Sequence, residues 1–115
     1  MKPVSKKHPL QQYAWGKAAS AWNLLDQESL SVKLEHMPPG EEERLHYHQY
    51  AQQFFYILRG TAIFEIDGEQ TKVEEEHGFY ISPNQKHRIM NLSKEALEFI
   101  LCSQPSTTKD RINLE

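Results

Sequence analysis

From residue 30 onward, apolar and polar residues alternate along much of the chain. Leu30, Val32 and Leu34 are each followed by a polar residue, which is typical of a strand with one apolar, buried face. The Pro-Pro-Gly segment at 38–40 ends this pattern. We therefore predict a half-buried strand over residues 30–35.

The rest of the chain contains further short segments of this kind, separated by residues that favour turns. Asp67-Gly68, between two such segments, is a strong signal for a two-residue hairpin. The predicted strands cover residues 45–48, 53–58, 61–66, 71–74, 78–81, 87–92 and 96–102. Strands this short and regularly spaced, without a long helical pattern, predict an all-β sandwich or barrel in a single domain.

The two ends of the chain are less regular. Residues 14–25 have the propensity for a short helix, but Trp15, Gly16 and Trp22 argue against a helix of useful length. We expect three parts: an N-terminal arm and edge strand over 1–29, a barrel over 30–103, and a polar C-terminal tail over 104–115 that wraps the surface or frays.

The composition narrows the class of protein. A chain of 115 residues has the size of one domain, and its single cysteine, Cys102, allows no internal disulfide and fits a reducing compartment. A formal charge of −3 with scattered lysines and arginines argues against a nucleic-acid partner. A mean hydropathy of −0.71 and a polar N-terminus predict no membrane span and no signal peptide. We therefore expect a soluble cytoplasmic protein.

Six histidines are the unusual feature of the composition. His46 and His48 are two positions apart in a predicted strand, so their side chains leave the same face and can share a metal ion. Gln53 lies five residues further along, next to an apolar strand, and His87 opens another strand. An antiparallel barrel would bring such distant positions together, because inward residues of its strands face a common interior.

Residues that share the inward parity of these side chains are candidates to line a ligand site. They are Phe55 and Ile57 on the strand of the glutamine, Ile89 and Asn91 on the strand of the third histidine, and Arg44 just before the first. On parity, Arg44 reaches the mouth of the barrel, where a guanidinium can pair with a carboxylate or phosphate.

The spacing of these residues resembles that of a known family. The first conserved motif of the cupin superfamily is matched by Gly40, His46, His48, Gln53 and Gly60, and its second motif by residues 82–91 with His87 and Asn91. The resemblance implies an antiparallel β-barrel of the double-stranded β-helix or jelly-roll type. It also implies one metal ion held by His46, His48 and His87, with Gln53 as fourth ligand or orienting amide. Family members usually carry glutamate at the position of Gln53 and glycine at that of Glu76.

Three shorter segments resemble a narrower group within that superfamily. Tyr13-Ala-Trp-Gly16, Lys86-His-Arg88 and Asp110-Arg-Ile112 look like parts of the cupin domain of mannose-6-phosphate isomerases and mannose-1-phosphate guanylyltransferases. A sugar-phosphate function inferred from them would rest on analogy alone.

Three neutral imidazoles and an amide would leave the charge of a divalent cation uncompensated. Such a site is expected to attract an anionic bidentate ligand and to lower the pKa of bound water. Imidazole ligands suit Zn, Fe, Ni or Cu, and Mn is less favoured. Iron, nickel or copper would permit dioxygen chemistry, whereas zinc would permit isomerase or lyase chemistry.

The sequence leaves several functions open. The first is a metal-dependent enzyme, dioxygenase or sugar-isomerase-like, that acts on a small polar or anionic metabolite, although no carboxylate is securely placed inside as a general base. The second is a non-catalytic module that binds a small molecule or sugar. In a third, the histidines only hydrogen-bond in a polar interior. Phe54, Tyr56 and Leu58 form an apolar face opposite the site, which together with the resemblance predicts a homodimer.

Overall fold

A computed structural model describes residues 2–115 as two antiparallel β-sheets. The eleven strands are β1 (Gln11–Trp15), β2 (Ala19–Gln27), β3 (Leu30–Met37), β4 (His46–His48), β5 (Gln52–Arg59), β6 (Ala62–Ile66), β7 (Glu69–Val73), β8 (Gly78–Ile81), β9 (His87–Met90), β10 (Leu97–Gln104) and β11 (Arg111–Asn113). One sheet has the order β1-β2-β3-β10-β5-β8 and the other β11-β4-β9-β6-β7. The predicted all-β class is confirmed. Residues 2–115 hold no helix able to span a bilayer, and the cytoplasmic location stays a prediction.

The hydrophobic core lies between the two sheets. Phe55 on β5 and Phe64 on β6 pack edge to face, with ring centroids 4.9 Å apart, and Phe99 on β10 lies 5.5 Å from Phe55. Strand β5 shows the underlying pattern, because Gln53, Phe55 and Ile57 are buried while the residues between them are exposed. Period-two alternation thus sends one apolar row into the interior.

The strands from residue 30 onward lie close to their predicted positions. The predicted hairpin joins β6 to β7 through Asp67 (φ 49°) and Gly68 (φ 89°). Positive φ at both central residues is what a two-residue turn of this twist requires, and Asp-Gly supplies it at low cost.

Residues 14–25 form no helix. Strands β1 and β2 pair as a hairpin at the edge of the larger sheet, and Trp22 on β2 lies opposite Leu34 on β3. Ala19 and Ala21 are buried at period-two spacing, which suits a strand. Gly16 turns the chain with φ 59°, and a Cβ there would collide with the carboxylate of Glu41.

The C-terminal segment forms a strand rather than only a surface tail. Strand β11 pairs with β4, so that Arg111 lies opposite His48 and Asn113 opposite His46. Asp110, just before this strand, is buried. The division of the chain at residues 29 and 103 stays a prediction.

The predicted orientation of β3 is wrong. Ser31, Glu35 and Met37 are its buried residues, whereas Leu34 is half-buried on the outer face of the sheet. Leu34 pairs there with Ile100 on β10. The apolar residues at even positions of β3 therefore cover the outside of the sheet. The residues at odd positions, which include Glu35, point into the barrel.

Gly60, which ends β5, combines a positive φ of 87° with close packing. A Cβ at this position would meet the carbonyl oxygen of Ala96 and lie 3.1 Å from the Cα of Leu97. Gly68 has a similar φ of 89° but no atom within 4 Å of the same position. A substitution at Gly68 therefore introduces backbone strain alone, whereas one at Gly60 adds steric overlap to the same strain.

We predict that Gly60→Ala lowers the free energy of unfolding by about 3 kcal/mol, and Gly68→Ala by about 1 kcal/mol. The difference is the cost of moving the backbone that starts β10 away from the new methyl group. Urea unfolding of both variants measures it, provided that the denaturant slope stays constant. Equal losses in the two variants would contradict the steric argument.

Candidate metal centre

The three histidines on β4 and β9 meet inside the barrel. His46 and His48 leave the same face of β4 and are 2% and 3% exposed, and His87 pairs with His46 in the register of β4 and β9. One nitrogen from each ring can be chosen so that the three lie within 4.8 Å of one another. Strand pairing therefore joins positions that are distant in sequence into one group of donors.

Backbone carbonyls fix the tautomers of two of these rings. The Nδ1 of His46 donates to the carbonyl oxygen of Arg44 at 2.7 Å, and the Nδ1 of His87 donates to that of Gln85 at 2.8 Å. Because a carbonyl can only accept, each Nδ1 carries the proton and each Nε2 keeps a free lone pair. Such a hydrogen bond on the second nitrogen is the usual support of a metal-binding histidine.

Several buried polar atoms around this group lack a hydrogen-bond partner within residues 2–115. They are the Nε2 of His87, both ring nitrogens of His48 and the Oε1 of Gln53. The amide Nε2 of Gln53 donates to the Oγ of Ser103 at 3.1 Å, which leaves its oxygen as a free acceptor. Buried acceptors without donors call for a cation or another ligand. The donor set therefore fits a divalent transition metal.

The protonation state of the rings suits the same ion. Burial lowers the pKa of His46 to about 4 and that of His48 to about 3, and it also lowers the pKa of His87. Positive charge on Arg111 adds to the effect at His46. The imidazoles are therefore neutral near pH 7, as metal ligation requires.

His46, His48 and Gln53 line a cavity of about 880 Å³. The other charged residues on its wall come from several parts of the chain: Lys17, Lys33, Arg44 and Arg111 are basic, and Glu35, Glu41, Glu42, Glu43 and Glu115 are acidic. The cavity therefore places donors for a metal beside both acidic and basic groups.

Glu35 is a cavity residue that the sequence analysis missed. Burial, together with the neighbouring Glu43, raises the pKa of Glu35 to about 8, and Lys33 opposes the shift. The carboxyl group is therefore mostly protonated at neutral pH. The one sequence signal for an inward position is that Glu35 lies two residues before the apolar Met37. The apolar residues at positions 30, 32 and 34 indicate the opposite orientation of the strand.

Glu43 is half-buried near Glu35 but has its own partners. Its Oε2 lies 3.5 Å from the Nη1 of Arg111, and its Oε1 accepts the N–H of Ile89 at 3.2 Å. Burial raises the pKa of Glu43, and Arg111 opposes that rise. The buried carboxyl group of Glu35 and the half-buried one of Glu43 thus face the cavity, and Glu43 is paired with a cation.

Of the other predicted lining residues, Arg44 alone lies on the cavity wall. Phe55, Ile57 and Ile89 belong to the hydrophobic core cluster and are not on the cavity wall, whereas Arg44 is exposed on that wall. Their roles in binding stay predictions.

Asn91 is buried in the turn before β10 rather than on the cavity wall. Its Nδ2 donates to the carbonyl oxygens of Met37 and Glu95, both at 2.9 Å. Its Oδ1 accepts the N–H of Ser93. The side chain is therefore engaged in holding the turn, and a role in ligand binding stays a prediction.

Comparison with known proteins identifies the family. A family model described as a cupin domain matches residues 33–103, more than half of the chain. An uncharacterized protein from Methanocaldococcus jannaschii is 32% identical over 69 residues, which cover 60% of this chain and 55% of that protein. An oxalate-binding protein from Thermotoga maritima is 28% identical over 64 residues, which cover 56% and 53%. The chain spans about half the length of these curated relatives.

The fold agrees with this match. An RmlC-like cupin from Shewanella frigidimarina superposes with a TM-score of 0.81 at 16% identity, over 91% of both chains. The two sheets and the three-histidine group define a double-stranded β-helix barrel with an interior site suited to a metal ion. The chain belongs to the cupin family. The narrower resemblance to mannose-6-phosphate isomerases stays a prediction.

We predict that the purified protein carries about one equivalent of a divalent transition metal and that His87→Ala retains less than about a tenth of it. Loss of the imidazole on β9 leaves only the two histidines of β4 and the amide of Gln53, which are too few donors to hold the ion tightly. Elemental analysis by plasma mass spectrometry measures the content of both proteins. His77→Ala is the matched control, because His77 is exposed and lies outside the three-histidine group. Equal metal in His87→Ala and wild type would contradict the assignment.

Proposed function

We propose that this cupin is a metal-dependent enzyme that relocates a proton on a small anionic metabolite, as isomerases and lyases do. The observation that carries the proposal is the buried carboxyl group of Glu35 on the wall of the cavity that His46 and His48 also line. The sequence alone places no evident acid or base inside the barrel for such a reaction. Glu35 supplies that group.

The donor set indicates which metals suit this function. His46, His48 and His87 would hold Zn, Fe, Ni or Cu, with the Oε1 of Gln53 as a further donor. A bound ion of this kind polarises an oxygen of a chelating substrate and stabilises the negative charge that develops on it. The protein's task is then to position the substrate and to move the proton.

Two basic side chains on the cavity wall that lack an ion-pair partner in the described part of the chain favour an anionic substrate. Within residues 2–115, Arg44 and Lys17 have no carboxylate within ion-pair distance. The carboxylate of Glu41 is engaged by the backbone N–H groups of Lys17 and Ala18, at 3.1 and 2.8 Å. Free cations remain on the wall to bind a carboxylate or phosphate, for which the guanidinium of Arg44 is well suited.

Glu35 has the properties of a group that both gives and takes a proton. Burial raises its pKa to about 8, so the protonated form predominates at neutral pH and the ionised form is close in free energy. General acid–base catalysis is most efficient when the pKa lies near the working pH. The carboxylate formed when Glu35 gives up its proton can accept the proton of a neighbouring substrate carbon.

We predict that the zinc-loaded protein catalyses hydrogen–deuterium exchange at a carbon beside a carbonyl group in one or more small 2-oxo or 2-hydroxy carboxylates. In deuterium oxide, proton NMR follows the loss of the C–H signal. We expect Glu35→Gln to slow the exchange by about 100-fold or more, because the amide can neither donate an acidic proton nor accept one.

The matched control for this experiment is Glu42→Gln. Glu42 lines the same cavity but is exposed, and its closest cation is Arg88 at 3.9 Å. We expect the Glu42 variant to keep the wild-type exchange rate. Equal rates in wild type and Glu35→Gln would remove Glu35 from the mechanism.

A second candidate function is a non-catalytic binding module. It is favoured by the similarity to a protein named for oxalate binding, since oxalate is a bidentate dianion that matches an uncompensated metal charge. Titration calorimetry of the zinc-loaded protein with oxalate tests it. Tight binding of oxalate, with no hydrogen–deuterium exchange in any of the 2-oxo or 2-hydroxy carboxylates, would favour this second function.

We also propose that two copies associate through the outer face of the six-stranded sheet. Phe54, Tyr56, Leu58 and Tyr80 are 45%, 38%, 41% and 54% exposed on or beside this face. Phe54 and Tyr80 are cross-strand neighbours, and Phe54 also pairs with Cys102. An apolar sheet face of this extent is typical of an association surface.

We predict that Phe54→Glu weakens self-association by at least about tenfold, because it places a charge at the centre of the apolar face. Sedimentation velocity over a range of protein concentrations measures the change. Leu92→Glu is the control, since Leu92 is 61% exposed outside the six-stranded sheet. A monomeric wild-type protein would overturn the proposal.

A further inference from the structure

We propose that the C-terminal segment is a clamp for the metal centre, and that Asp110 is the positioning residue through which it acts. The inference rests on the metal centre described above, and it assigns a role to a segment outside the residues matched by the cupin model. Two separate sets of contacts carry it. One fixes the turn between the ligand residues, and the other fixes strand β4.

The first set of contacts joins the Asp110 carboxylate to the turn between His48 and Gln53. Its Oδ1 accepts the N–H groups of Gln49 and Tyr50, at 2.9 and 3.2 Å. Its Oδ2 accepts those of Tyr50 and Ala51, at 3.0 and 2.8 Å. Three successive N–H groups thus converge on one carboxylate, and these three residues lead directly from one proposed donor toward the next.

This carboxylate has few substitutes. Asp110 is 8% exposed and Ala51 is 1% exposed, so water cannot readily replace the carboxylate at the buried end of the turn. A buried N–H group without an acceptor is strongly unfavourable. The turn would therefore rearrange if the carboxylate were lost, and the positions of His48 and Gln53 would change with it.

The second set of contacts is the pairing of β11 with β4. All three residues of β4 pair with β11, whereas only His46 pairs with β9. The N–H of Leu114 also donates to the carbonyl oxygen of Leu45 at 2.8 Å, which extends the contact beyond the strand. On the other side of β4, the N–H of Asn84 also donates to the carbonyl oxygen of His48 at 2.7 Å. The C-terminal segment therefore provides the longer of the two strand pairings of β4.

The clamp also faces the cavity. Thr107, Thr108 and Arg111 lie on the cavity wall, and Arg111 contacts Glu43. Docking of this segment and ordering of the metal ligands are therefore one event, so that each stabilises the other. Linkage requires the effect to be reciprocal: metal binding must hold the segment more firmly, and loosening the segment must weaken metal binding.

The variant that tests the clamp is Asp110→Asn. It keeps the size of the side chain but turns one acceptor oxygen into an N–H donor that faces backbone N–H groups. We expect zinc affinity, measured by competition with a chromophoric chelator, to fall by about 10- to 100-fold, the usual effect of losing a group that orients metal ligands.

The matched control is Glu41→Gln. Glu41 is 6% exposed and also accepts two backbone N–H groups, but these belong to the turn between β1 and β2 and not to β4, β5 or β9. Its loss should lower the melting temperature of the metal-free protein about as much as Asp110→Asn does, and leave zinc affinity unchanged. An equal loss of zinc affinity in both variants would reduce Asp110 to a general stabilising residue and overturn the proposal.

Hydrogen exchange of the wild-type protein provides a test that does not depend on the folding of a variant. With zinc bound, the amides of residues 49–51 and 111–114 should exchange at least about tenfold more slowly than without zinc. Unchanged exchange there, together with tight zinc binding, would overturn the clamp and leave the metal centre intact. A wild-type protein that binds no zinc would instead overturn the metal centre, and the clamp with it.

Discussion

Pairing between β4 and β9 is the contact on which the metal centre depends. It aligns His46 with His87 at a single register position and so brings the residues that match the two cupin motifs into one interior. Burial of three neutral imidazoles and an amide costs solvation free energy that their own few hydrogen bonds do not recover. The aromatic and aliphatic core between the two sheets, which includes Phe55, Phe64 and Phe99, offsets that cost. The barrel can therefore hold a polar group of donors in place before any ion binds.

Cupins usually carry a glutamate at the position of Gln53. With an amide there, the groups proposed to bind the metal and the group proposed to move a proton are different side chains. The proposed donor atoms for a cation are all neutral near pH 7, since burial keeps the histidine pKa values low. The acidic group that can exchange a proton, Glu35, lies on a different strand from every proposed donor. Under the proposed function, charge on the ion would be balanced by the substrate rather than by the protein, which would strengthen the binding of an anion.

Much of the architecture could be predicted from the sequence, because period-two patterns and turn residues act locally. The Asp67-Gly68 hairpin and the strands around it are examples. The orientation of β3 could not be predicted, since its apolar parity covers an outer face shared with Ile100 and that pairing is set by sheet order. Glu35 was missed for the same reason. Asp110 was noticed only as part of a short resemblance, and its hydrogen bonds to residues about 60 positions earlier have no local signal.

The hairpin of β1 and β2 has a consequence for how this protein could diversify. It sits at the edge of the larger sheet, presents Tyr13 and Trp15 to the cavity, and is tied down by the carboxylate of Glu41. None of its residues belongs to the group of candidate ligands on β4, β5 and β9. Substitutions in this hairpin can reshape the cavity while the three-histidine group stays intact. Under the proposed function, the choice of ligand would depend on the β1–β2 hairpin and the metal chemistry on β4, β5 and β9. Either property could then change during evolution without the other.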